Sequence, residues 1–583
     1  MMKNESSYRP VSVDDLPEFL VRAQAAVDAG RVDEAIGFLS DEAIKTVSGM
    51  DQKNPSTALV IHVLAKLFRR TNQLDRAEHW CKRILKQWPY AFVYDELGTI
   101  YRDRGDLFKA LEYRRKALET DPDDANFLWS FGCMMMAVGR VEEGAAFVRK
   151  ASEKAPNNAK IRSSFLTSLY YLNNTDPQII FEEHKQWGRI HAPTSRAKRI
   201  HKNIADPDRR LRVGYISSDF RLHSVAFFFE PLLNDHDHEV VEVYGYGNIL
   251  RPDRITRRLE RKFDHYRDIC NADDNTVADM IEADQIDILV ELAGHTNERL
   301  HVLTYKPAPV QVDYLGLNTT GIEAIDYRLT DNFVNPPESQ KFYTEKLVYL
   351  PAGFLCYTPP DFALTETPLP AARNGYITFG SFNVNTKINP KLMALWSEVL
   401  KSNGNSRFLL DFRGGDDKGV ANYYLRQFEQ LEISPERVEI GGWKSPVEHF
   451  QRYGEVDIIL DTYPFNGATN TCHALWMGVP VISLVGRYYV SRAGMSILTR
   501  AGLDFCVALS PTEYVARATA LARDPEALGK IRASMRKRLV ASSLCNAKSL
   551  ARSAEEAYRK MWRQWCQDRS AEVSGEKLKI SIK

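Results

Sequence analysis

Hydrophobic positions in the first third of the chain recur every three or four residues, and this helical pattern itself repeats. Gly105 marks a turn between two amphipathic helices, and Gly98 returns 34 residues later as Gly132. The pattern predicts stacked helix pairs over residues 59–190, after an irregular helical segment over residues 1–58.

This period resembles the tetratricopeptide repeat, in which small residues let paired helices pack closely. Because no single pair can bury its own apolar face, the units stack and form an extended surface. Such a surface typically holds an extended peptide or a partner protein. A helical array that only caps or dimerises the chain is the alternative interpretation.

Beyond the repeats the pattern changes to short apolar strands that alternate with amphipathic helices. The alternation predicts parallel βαβ units in two Rossmann-like lobes, over residues 211–370 and 371–545. A cleft between the lobes would bind ligands at the carboxyl ends of the strands. We expect a solvated basic linker over residues 191–210. We also expect a C-terminal helix and polar tail over residues 546–583, with the last helices crossing back onto the first lobe.

Charge and composition narrow the function classes. The chain has 77 Lys and Arg against 76 Asp and Glu, a formal net charge of +1, which argues against a nucleic-acid-binding protein. No two of its 8 cysteines have zinc-knuckle or CxxC spacing, so a reducing compartment fits. The first residues lack the apolar core of a secretory signal, and no apolar stretch is long enough to span a bilayer. We therefore expect a cytoplasmic protein without a membrane span.

Four segments in the two lobes are more specific than the fold class. The segments are VGYISSDFRLHSVAFF (213–228), ELAGHTNERLHVLTYKPAPVQVDYLG (291–316), FGSFNVNTKINPKLMALW (379–396) and GGWKSPVEHFQRYGEVDIILDTYPFNGATNTCHALWMGVPVISLVG (441–486). Their order and spacing resemble those of the O-linked N-acetylglucosamine transferases, in particular the bacterial members. The resemblance implies a two-lobed GT-B fold. It also implies inverting transfer of N-acetylglucosamine from UDP-N-acetylglucosamine to Ser or Thr of a protein, without a metal or another cofactor.

The resemblance places the leaving-group site in the second lobe. Lys387 matches the lysine that contacts the diphosphate, where its charge would stabilise the departing anion, and Asn383 falls in the same donor-binding segment. The chain then runs from a strand end through Gly467 into a helix. Free backbone N–H groups at that helix start, with the hydroxyls of Thr469 and Thr471, would form an anion site. The donor-binding residues of this turn are Gly467, Ala468, Thr469 and Asn470.

Three further positions belong to the predicted nucleotide site. His449 matches a histidine that packs on the uracil, although a helix-surface histidine is the simpler interpretation, and Arg452, one turn on, would support the same region. His473 stands where the family commonly has an acidic residue that accepts the ribose hydroxyls. Leu317 and Asn318 also depart from the family pattern. The departure at His473 leaves the identity of the donor open.

The first lobe carries the acceptor side. His223 matches the histidine at the junction of acceptor and sugar, and a neutral imidazole is suited to proton transfer near pH 7. A hydrogen-bonded loop histidine that moves no proton is an equally good interpretation. Asp219 is expected to fix the loop by accepting backbone N–H bonds. His295 is a weaker candidate base, and Thr320 lies on the same acceptor side.

Two rival interpretations stay open. The same fold can use another activated sugar, for instance a nonulosonic acid in a flagellin-modifying transferase. Alternatively, the chain is a repeat scaffold with a degenerate transferase region. Lys387 and His223 speak against the scaffold, whereas His473 is compatible with either rival.

Overall fold

The structure is a computed structural model that describes residues 16–51, 54–173, 175–192, 199–296, 299–362, 364–442 and 445–573. The predicted N-terminal segment, basic linker and polar tail lie partly outside these ranges, at residues 1–15, 193–198 and 574–583. The chain divides into two units. The first comprises residues up to Ile161 together with Gly414–Tyr424, and the second comprises Arg162–Arg413 and the residues from Leu425 on.

The first unit is helical throughout its described residues up to Ile161. Its helices are α1 (Glu18–Asp28), α2 (Val32–Phe38), α3 (Asp41–Ser48), α4 (Pro55–Arg70), α5 (Leu74–Leu85), α6 (Ala91–Arg104), α7 (Leu107–Thr120), α8 (Ala125–Ala137) and α9 (Val141–Lys154). The pairs α4–α5, α6–α7 and α8–α9 follow the predicted period, which confirms the repeats.

Glycines explain why the helices turn and pack as the period predicts. Gly105 ends α6 with φ +89°, a conformation that other residues rarely adopt. Within the pair α8–α9, a Cβ on Gly132 would lie 2.7 Å from the Gly144 carbonyl oxygen. The two helices therefore touch backbone to backbone, as the recurring small residues indicate.

A distant stretch of the chain, residues 414–424, completes the first unit. The Asp417 carboxylate accepts a hydrogen bond of 2.7 Å from the Leu107 N–H at the start of α7. The Tyr423 hydroxyl donates to the Gly139 carbonyl at 3.4 Å. The repeats thus pack with residues 414–424, a segment that the sequence pattern places in the second lobe.

The second unit is built on two parallel sheets, which confirms the two Rossmann-like lobes. The first sheet has the order β3-β2-β1-β4-β5-β6-β7 and the second β10-β9-β8-β11-β12-β13. The strands are β1 (Leu211–Ser217), β2 (Val241–Gly247), β3 (His265–Asp268), β4 (Ile288–Glu291), β5 (Val310–Asp313), β6 (Tyr327–Thr330), β7 (Lys346–Tyr349), β8 (Ile377–Ser381), β9 (Ser406–Asp411), β10 (Val438–Gly441), β11 (Ile458–Leu460), β12 (Val481–Leu484) and β13 (Val507–Ala508).

Helices connect and flank these strands. They are α10 (Ala159–Leu169), α11 (Pro177–His191), α12 (Ser224–Asn234), α13 (Arg254–Glu260), α14 (Asp274–Ala283), α15 (Leu300–Thr304), α16 (Pro370–Asn374), α17 (Pro390–Ser402), α18 (Lys418–Gln430), α19 (Pro446–Arg452), α20 (Thr469–Trp476), α21 (Ala493–Arg500), α22 (Pro511–Ala522), α23 (Pro525–Ala541) and α24 (Ala547–Val573). No helix among the described residues is long and apolar enough to cross a membrane.

Helices α10 and α11 pack with the lobes, although they were predicted as part of the repeats. A Cβ on Gly188 of α11 would lie 1.9 Å from the Gly321 carbonyl oxygen, and Gly321 itself has φ +74°. The helix therefore rests directly on the backbone of the loop between β5 and β6. The second unit accordingly begins at Arg162.

The C-terminal helix α24 and the linker before β1 both pack beside the first sheet. Helix α24 crosses back as expected, and its Tyr558 hydroxyl lies 3.1 Å from that of Tyr215 in β1. The predicted linker is not simply solvated, because Arg209 forms a 2.5 Å ion pair with the fully buried Asp287. Its guanidinium also lies 4.7 Å from the Trp562 ring centroid. Basic residues at this position thus anchor the chain instead of facing water.

Candidate functional site

Lys387 lies at the carboxyl edge of the second sheet, in the turn between β8 and α17. Its ammonium donates a 2.9 Å hydrogen bond to the Asn466 carbonyl and stands 4.0 Å above the centre of the Phe465 ring. Burial lowers the pKa of Lys387 to about 8, against a smaller opposing attraction from Asp461. An ammonium has three N–H donors. One is satisfied here by a described residue, so the others can bind an anion.

The turn from Asp461 to Asn470 lies beside this lysine, where β11 ends and α20 begins. The buried Asp461 carboxylate accepts bonds from the Gly467 N–H at 2.7 Å and from the Ser483 hydroxyl at 2.6 Å, which fixes the turn. A Cβ on Gly467 would lie 3.0 Å from the Asn383 side chain, so this position leaves little room for a larger residue. The Asp461 carboxylate therefore fixes the conformation of the turn that leads into α20.

The start of α20 offers backbone donors rather than a side-chain cap. Ala468 is its N-cap residue and provides no capping hydrogen bond, while Thr469 is half-buried. The Thr471 hydroxyl donates to the Gly467 carbonyl at 2.6 Å, so its only proton is already used within the turn. The Asn470 amide donates to the Phe382 carbonyl at 2.7 Å and lies 3.3 Å from Asn383. The predicted donor residues of this turn and of the β8 loop are thus in mutual contact.

His449 and Arg452 lie on the same helix but have different surroundings. Burial lowers the pKa of His449 to about 4, against a smaller effect of its hydrogen bond to Asn470, so the ring is neutral near pH 7. Arg452 instead forms ion pairs with Glu455 at 2.6 Å, Glu439 at 2.7 Å and Asp411 at 3.3 Å. Its guanidinium therefore links the ends of β9 and β10 and is not presented to a ligand.

His473 lies in an aromatic cluster between the two lobes. Its ring centre is 4.4 Å from that of Phe450, 5.2 Å from Phe227 and 5.8 Å from Tyr357. Both ring nitrogens are buried and have no hydrogen-bond partner among the described residues. Burial lowers the pKa of His473 well below its usual value. Since Phe227 lies one turn after His223, this cluster connects the predicted nucleotide site to the His223 helix.

His223 is the N-cap residue of α12 at the carboxyl end of β1. Its Nδ1 lies 3.3 Å from Asp219 Oδ1 and 3.4 Å from the Val225 N–H. Burial lowers the pKa of His223, and the Asp219 carboxylate opposes this shift. The Val225 N–H donates to Nδ1, which corresponds to the neutral ring with its proton on Nε2. For Nε2 to accept a proton from a substrate, Nδ1 must instead carry the proton and donate it to Asp219. The Asp219 carboxylate contacts His223 and Arg221 at 3.4 Å, and not the backbone N–H groups expected from the sequence.

His295 and Thr320 contact each other inside the first lobe. His295 Nε2 lies 2.8 Å from the Thr320 carbonyl, and its Nδ1 is 3.2 Å from the Ser163 hydroxyl. Thr320 is fully buried, and its N–H and hydroxyl both donate to the Glu345 carboxylate. These polar groups hold the loop after β5 in place. In this structure both side chains are engaged within the lobe, and their role on the acceptor side stays a prediction.

Arg328 and Asp313 form a fully buried ion pair under the same loop, and no sequence motif singles them out. Arg328 also donates to the Gly316 carbonyl at 2.6 Å and the Asn318 carbonyl at 2.7 Å. Burial raises the pKa of Asp313 to about 8, mainly by desolvation, while Arg328 opposes the shift. The pair thus fixes the loop in which Leu317 and Asn318 depart from the family pattern.

The described site lies in a unit of two α/β lobes, and comparison with known sequences gives the family of the chain. The profile of Glycosyl transferase family 41 matches residues 166–360 and 358–554. The chain belongs to this family. The matched region begins within α10 and includes both sheets of the second unit.

The relatives are named as peptide-modifying transferases. The chain is 38% identical over 428 residues to the Arabidopsis thaliana protein SPINDLY, described as a probable UDP-N-acetylglucosamine–peptide N-acetylglucosaminyltransferase; the match covers 70% of this chain and 46% of SPINDLY. It is 30% identical over 374 residues to the similarly described Arabidopsis thaliana protein SEC, covering 61% of this chain and 38% of SEC. The chain thus spans less than half the length of these relatives.

A solved structure resembles almost the whole chain. A mutant of the Thermobaculum terrenum O-GlcNAc transferase, in which a lysine is replaced by methionine, superimposes with a TM-score of 0.84 at 32% sequence identity. The match covers 89% of this chain and 100% of that one. This likeness confirms the predicted fold of helical repeats followed by two α/β lobes.

Proposed function

We propose that this chain is a protein O-glycosyltransferase that transfers a sugar from a nucleotide diphosphate donor to Ser or Thr of a polypeptide. Lys387 carries this proposal, because its ammonium keeps N–H donors for a ligand beside the start of α20. The family membership and the names of the relatives support transfer to protein. N-acetylglucosamine from UDP-N-acetylglucosamine is the first candidate donor.

In the proposed reaction the diphosphate binds to Lys387 and to the backbone N–H groups at the start of α20. The positive charge stabilises the negative charge that grows on the leaving group as the bond to the sugar breaks. The acceptor hydroxyl attacks the opposite face of the anomeric carbon, which inverts its configuration. His223 Nε2 accepts the hydroxyl proton, and Asp219 orients the imidazole through Nδ1.

No divalent metal takes part in the proposed reaction. Lys387 and the helix start supply the positive charge that a metal ion provides in other transferases. We expect transfer to continue in excess EDTA. Loss of activity in EDTA with rescue by Mn²⁺ would overturn this part of the proposal.

His473 favours a second candidate donor. The neutral ring lies among aromatic side chains and offers at most one acceptor nitrogen, whereas a carboxylate at this position could accept from both ribose hydroxyls. A differently contacted nucleotide therefore stays a candidate, with GDP- or CMP-linked sugars as its donors. The repeat unit, through its extended helical surface, is proposed to hold the protein acceptor.

A panel of UDP-, GDP- and CMP-sugars tests the proposal. A ligand that binds the folded state raises the melting temperature by mass action, so the cognate donor is expected to give the largest shift. Mass spectrometry of candidate acceptor proteins then identifies the transferred sugar. A chain that binds none of these donors would contradict the transferase function and favour the scaffold.

A further inference from the structure

The ammonium of Lys387 rests on an aromatic support that is assembled from distant parts of the chain. Phe465 presents its ring face to the ammonium at 4.0 Å. Tyr171, in the loop between α10 and α11, stacks on the same Phe465 ring with ring centres 5.4 Å apart and an interplanar angle of 18°. Lysine, phenylalanine and tyrosine thus form one stack.

The loop that carries Tyr171 also holds the two chain segments on either side of Lys387. The Tyr171 hydroxyl hydrogen-bonds the side chain of Thr386, which directly precedes Lys387. Asn173 donates a 2.6 Å bond to the side chain of Asn389, and Asn389 in turn donates to the Tyr463 carbonyl at 2.7 Å. The loop therefore contacts the lysine segment, while Asn389 links that segment to the turn before Phe465.

We propose that Tyr171 and Phe465 are positioning residues for Lys387, and that the α10–α11 loop is the support of the diphosphate site. The proposal rests on the role of Lys387 in the proposed function. A cation over an aromatic face is attracted by the ring quadrupole. The stack also fixes the Phe465 rotamer, so the ammonium faces the start of α20 before any donor binds.

Two consequences follow for this chain. Removing residues up to 175 with the repeats would remove the support as well, whereas a truncation that ends at Ile161 would keep it. Removing the aromatic face would destabilise the charged form of Lys387. Among the described residues, the ionisable group that acts on the lysine charge is Asp461, which follows β11.

The chain offers a matched control for this stack. Trp565 on α24 stacks on Trp562 with ring centres 4.6 Å apart, and the Arg569 guanidinium lies 5.1 Å from the Trp565 ring centre. This is the same arrangement of cation and two aromatic rings, away from Lys387. Trp565→Leu therefore removes an equivalent stack from another part of the same unit.

The test measures the reactivity of Lys387 in the full chain without any donor. The rate of acylation by acetic anhydride is followed from pH 6 to pH 10 by peptide mass spectrometry, because the neutral amine is the reactive form. In Phe465→Leu we expect the midpoint to move down by about half a pH unit and the rate at pH 7 to rise about threefold. Tyr171→Leu should shift the midpoint in the same direction. Phe465→Tyr, which keeps an aromatic ring, and Trp565→Leu should both keep the wild-type midpoint.

A loosened fold would lower the acylation rate of Lys387 at pH 7 instead of raising it. Exposure to water would return the pKa of Lys387 towards its usual value and so lower the rate at pH 7. A folded Phe465→Leu protein with the wild-type profile would overturn the proposal, as would an equal shift in Trp565→Leu. If Phe465→Leu does not fold, the pair Tyr171→Leu and Tyr171→Phe decides, since only the second keeps the stack.

A second measurement separates this inference from the proposed function. The affinity for UDP and GDP is measured in Lys387→Ala, Phe465→Leu and Tyr171→Leu. If only Lys387→Ala loses affinity, the donor site stands and the positioning role of the two aromatic residues is overturned. Unchanged affinity in Lys387→Ala would overturn the donor site itself. The acylation profile would then still decide whether the stack positions the ammonium.

Discussion

Two cations at the carboxyl edges of the two sheets show how a structural charge differs from one kept for a ligand. Arg328 in the first lobe is fully buried, pairs with Asp313 and donates to two carbonyls, with the Tyr489 ring centre 4.6 Å from its guanidinium. Lys387 in the second lobe also faces a ring but donates to one carbonyl. The first cation is fully buried and paired with a carboxylate, whereas the second pairs directly with no carboxylate among the described residues and keeps donors for a ligand.

The largest effect of this difference is expected in stability. Arg328→Met leaves Asp313 buried without its partner and the Gly316 and Asn318 carbonyls without their donor, so the free energy of unfolding should fall by about 3–5 kcal/mol. Lys387→Met removes the attraction to the buried Asp461, but that carboxylate keeps its bonds from the Gly467 N–H and the Ser483 hydroxyl, so the loss should be about 1 kcal/mol or less. Urea unfolding followed by fluorescence measures both. Equal losses in the two variants would erase the distinction between the two cations.

Activity is expected to depend strongly on Lys387, although stability does not. Lys387→Ala removes the charge that stabilises the leaving group and should slow donor turnover by about a hundredfold or more. Lys391→Ala, an exposed lysine in the first turn of α17, is the matched control and should turn over like the wild type. The rate of nucleotide diphosphate release measures both variants. Near wild-type release by a folded Lys387→Ala protein would remove this residue from the mechanism.

The pH dependence of nucleotide diphosphate binding sharpens the comparison further. Since burial lowers the pKa of Lys387 to about 8, the lysine is charged at pH 7 and loses its proton as the pH rises through 8. Affinity should therefore be nearly constant between pH 6.5 and 7.5 and fall above pH 8. In Lys387→Arg the guanidinium stays charged, so this fall should disappear. A wild-type affinity that is unchanged up to pH 10 would contradict the lysine contact.

The smallest expected effect concerns His473. Both of its ring nitrogens lack a partner among the described residues, so His473→Phe should fold with unchanged or slightly higher stability. If the ring contacts the ribose, nucleotide affinity should fall by about 1 kcal/mol, the net contribution of one hydrogen bond. Calorimetric titration of UDP and GDP measures this change. Unchanged affinity would place His473 outside the nucleotide site.

The helical period and the strand alternation predicted the fold, but polar residues inside strands escaped the pattern. Strands β5 and β6 contain the buried Gln311, Asp313 and Arg328, and pattern analysis takes such residues as exposed. The Gln311 side-chain N–H groups donate to the carbonyls of Leu303 and Ala324, which no local pattern reveals. The tertiary hydrogen bonds therefore override the local hydrophobic signal.

The candidate site was predictable where its residues lie in one contiguous segment. Lys387 and the turn from Gly467 to Asn470 could be named from the motifs that carry them. The support under Lys387 could not, because Tyr171 and Phe465 are far apart in the chain and meet only in the folded state. His295 and Thr320 carried the same motif signal as Lys387, and only their hydrogen bonds show that they are engaged within the first lobe.

The most direct test of the central claim compares diphosphate with monophosphate binding in wild type and in Lys387→Ala. Calorimetry with UDP and UMP, and with GDP and GMP, covers the two candidate donor nucleotides that carry a diphosphate. For one base, the wild type should bind the diphosphate about tenfold or more tightly than the monophosphate, as charge-assisted contacts to the second phosphate imply. Lys387→Ala should lose most of that ratio while keeping the monophosphate affinity. Equal binding of di- and monophosphates by the wild type, or an undiminished ratio in Lys387→Ala, would contradict the assignment of Lys387 to the leaving group.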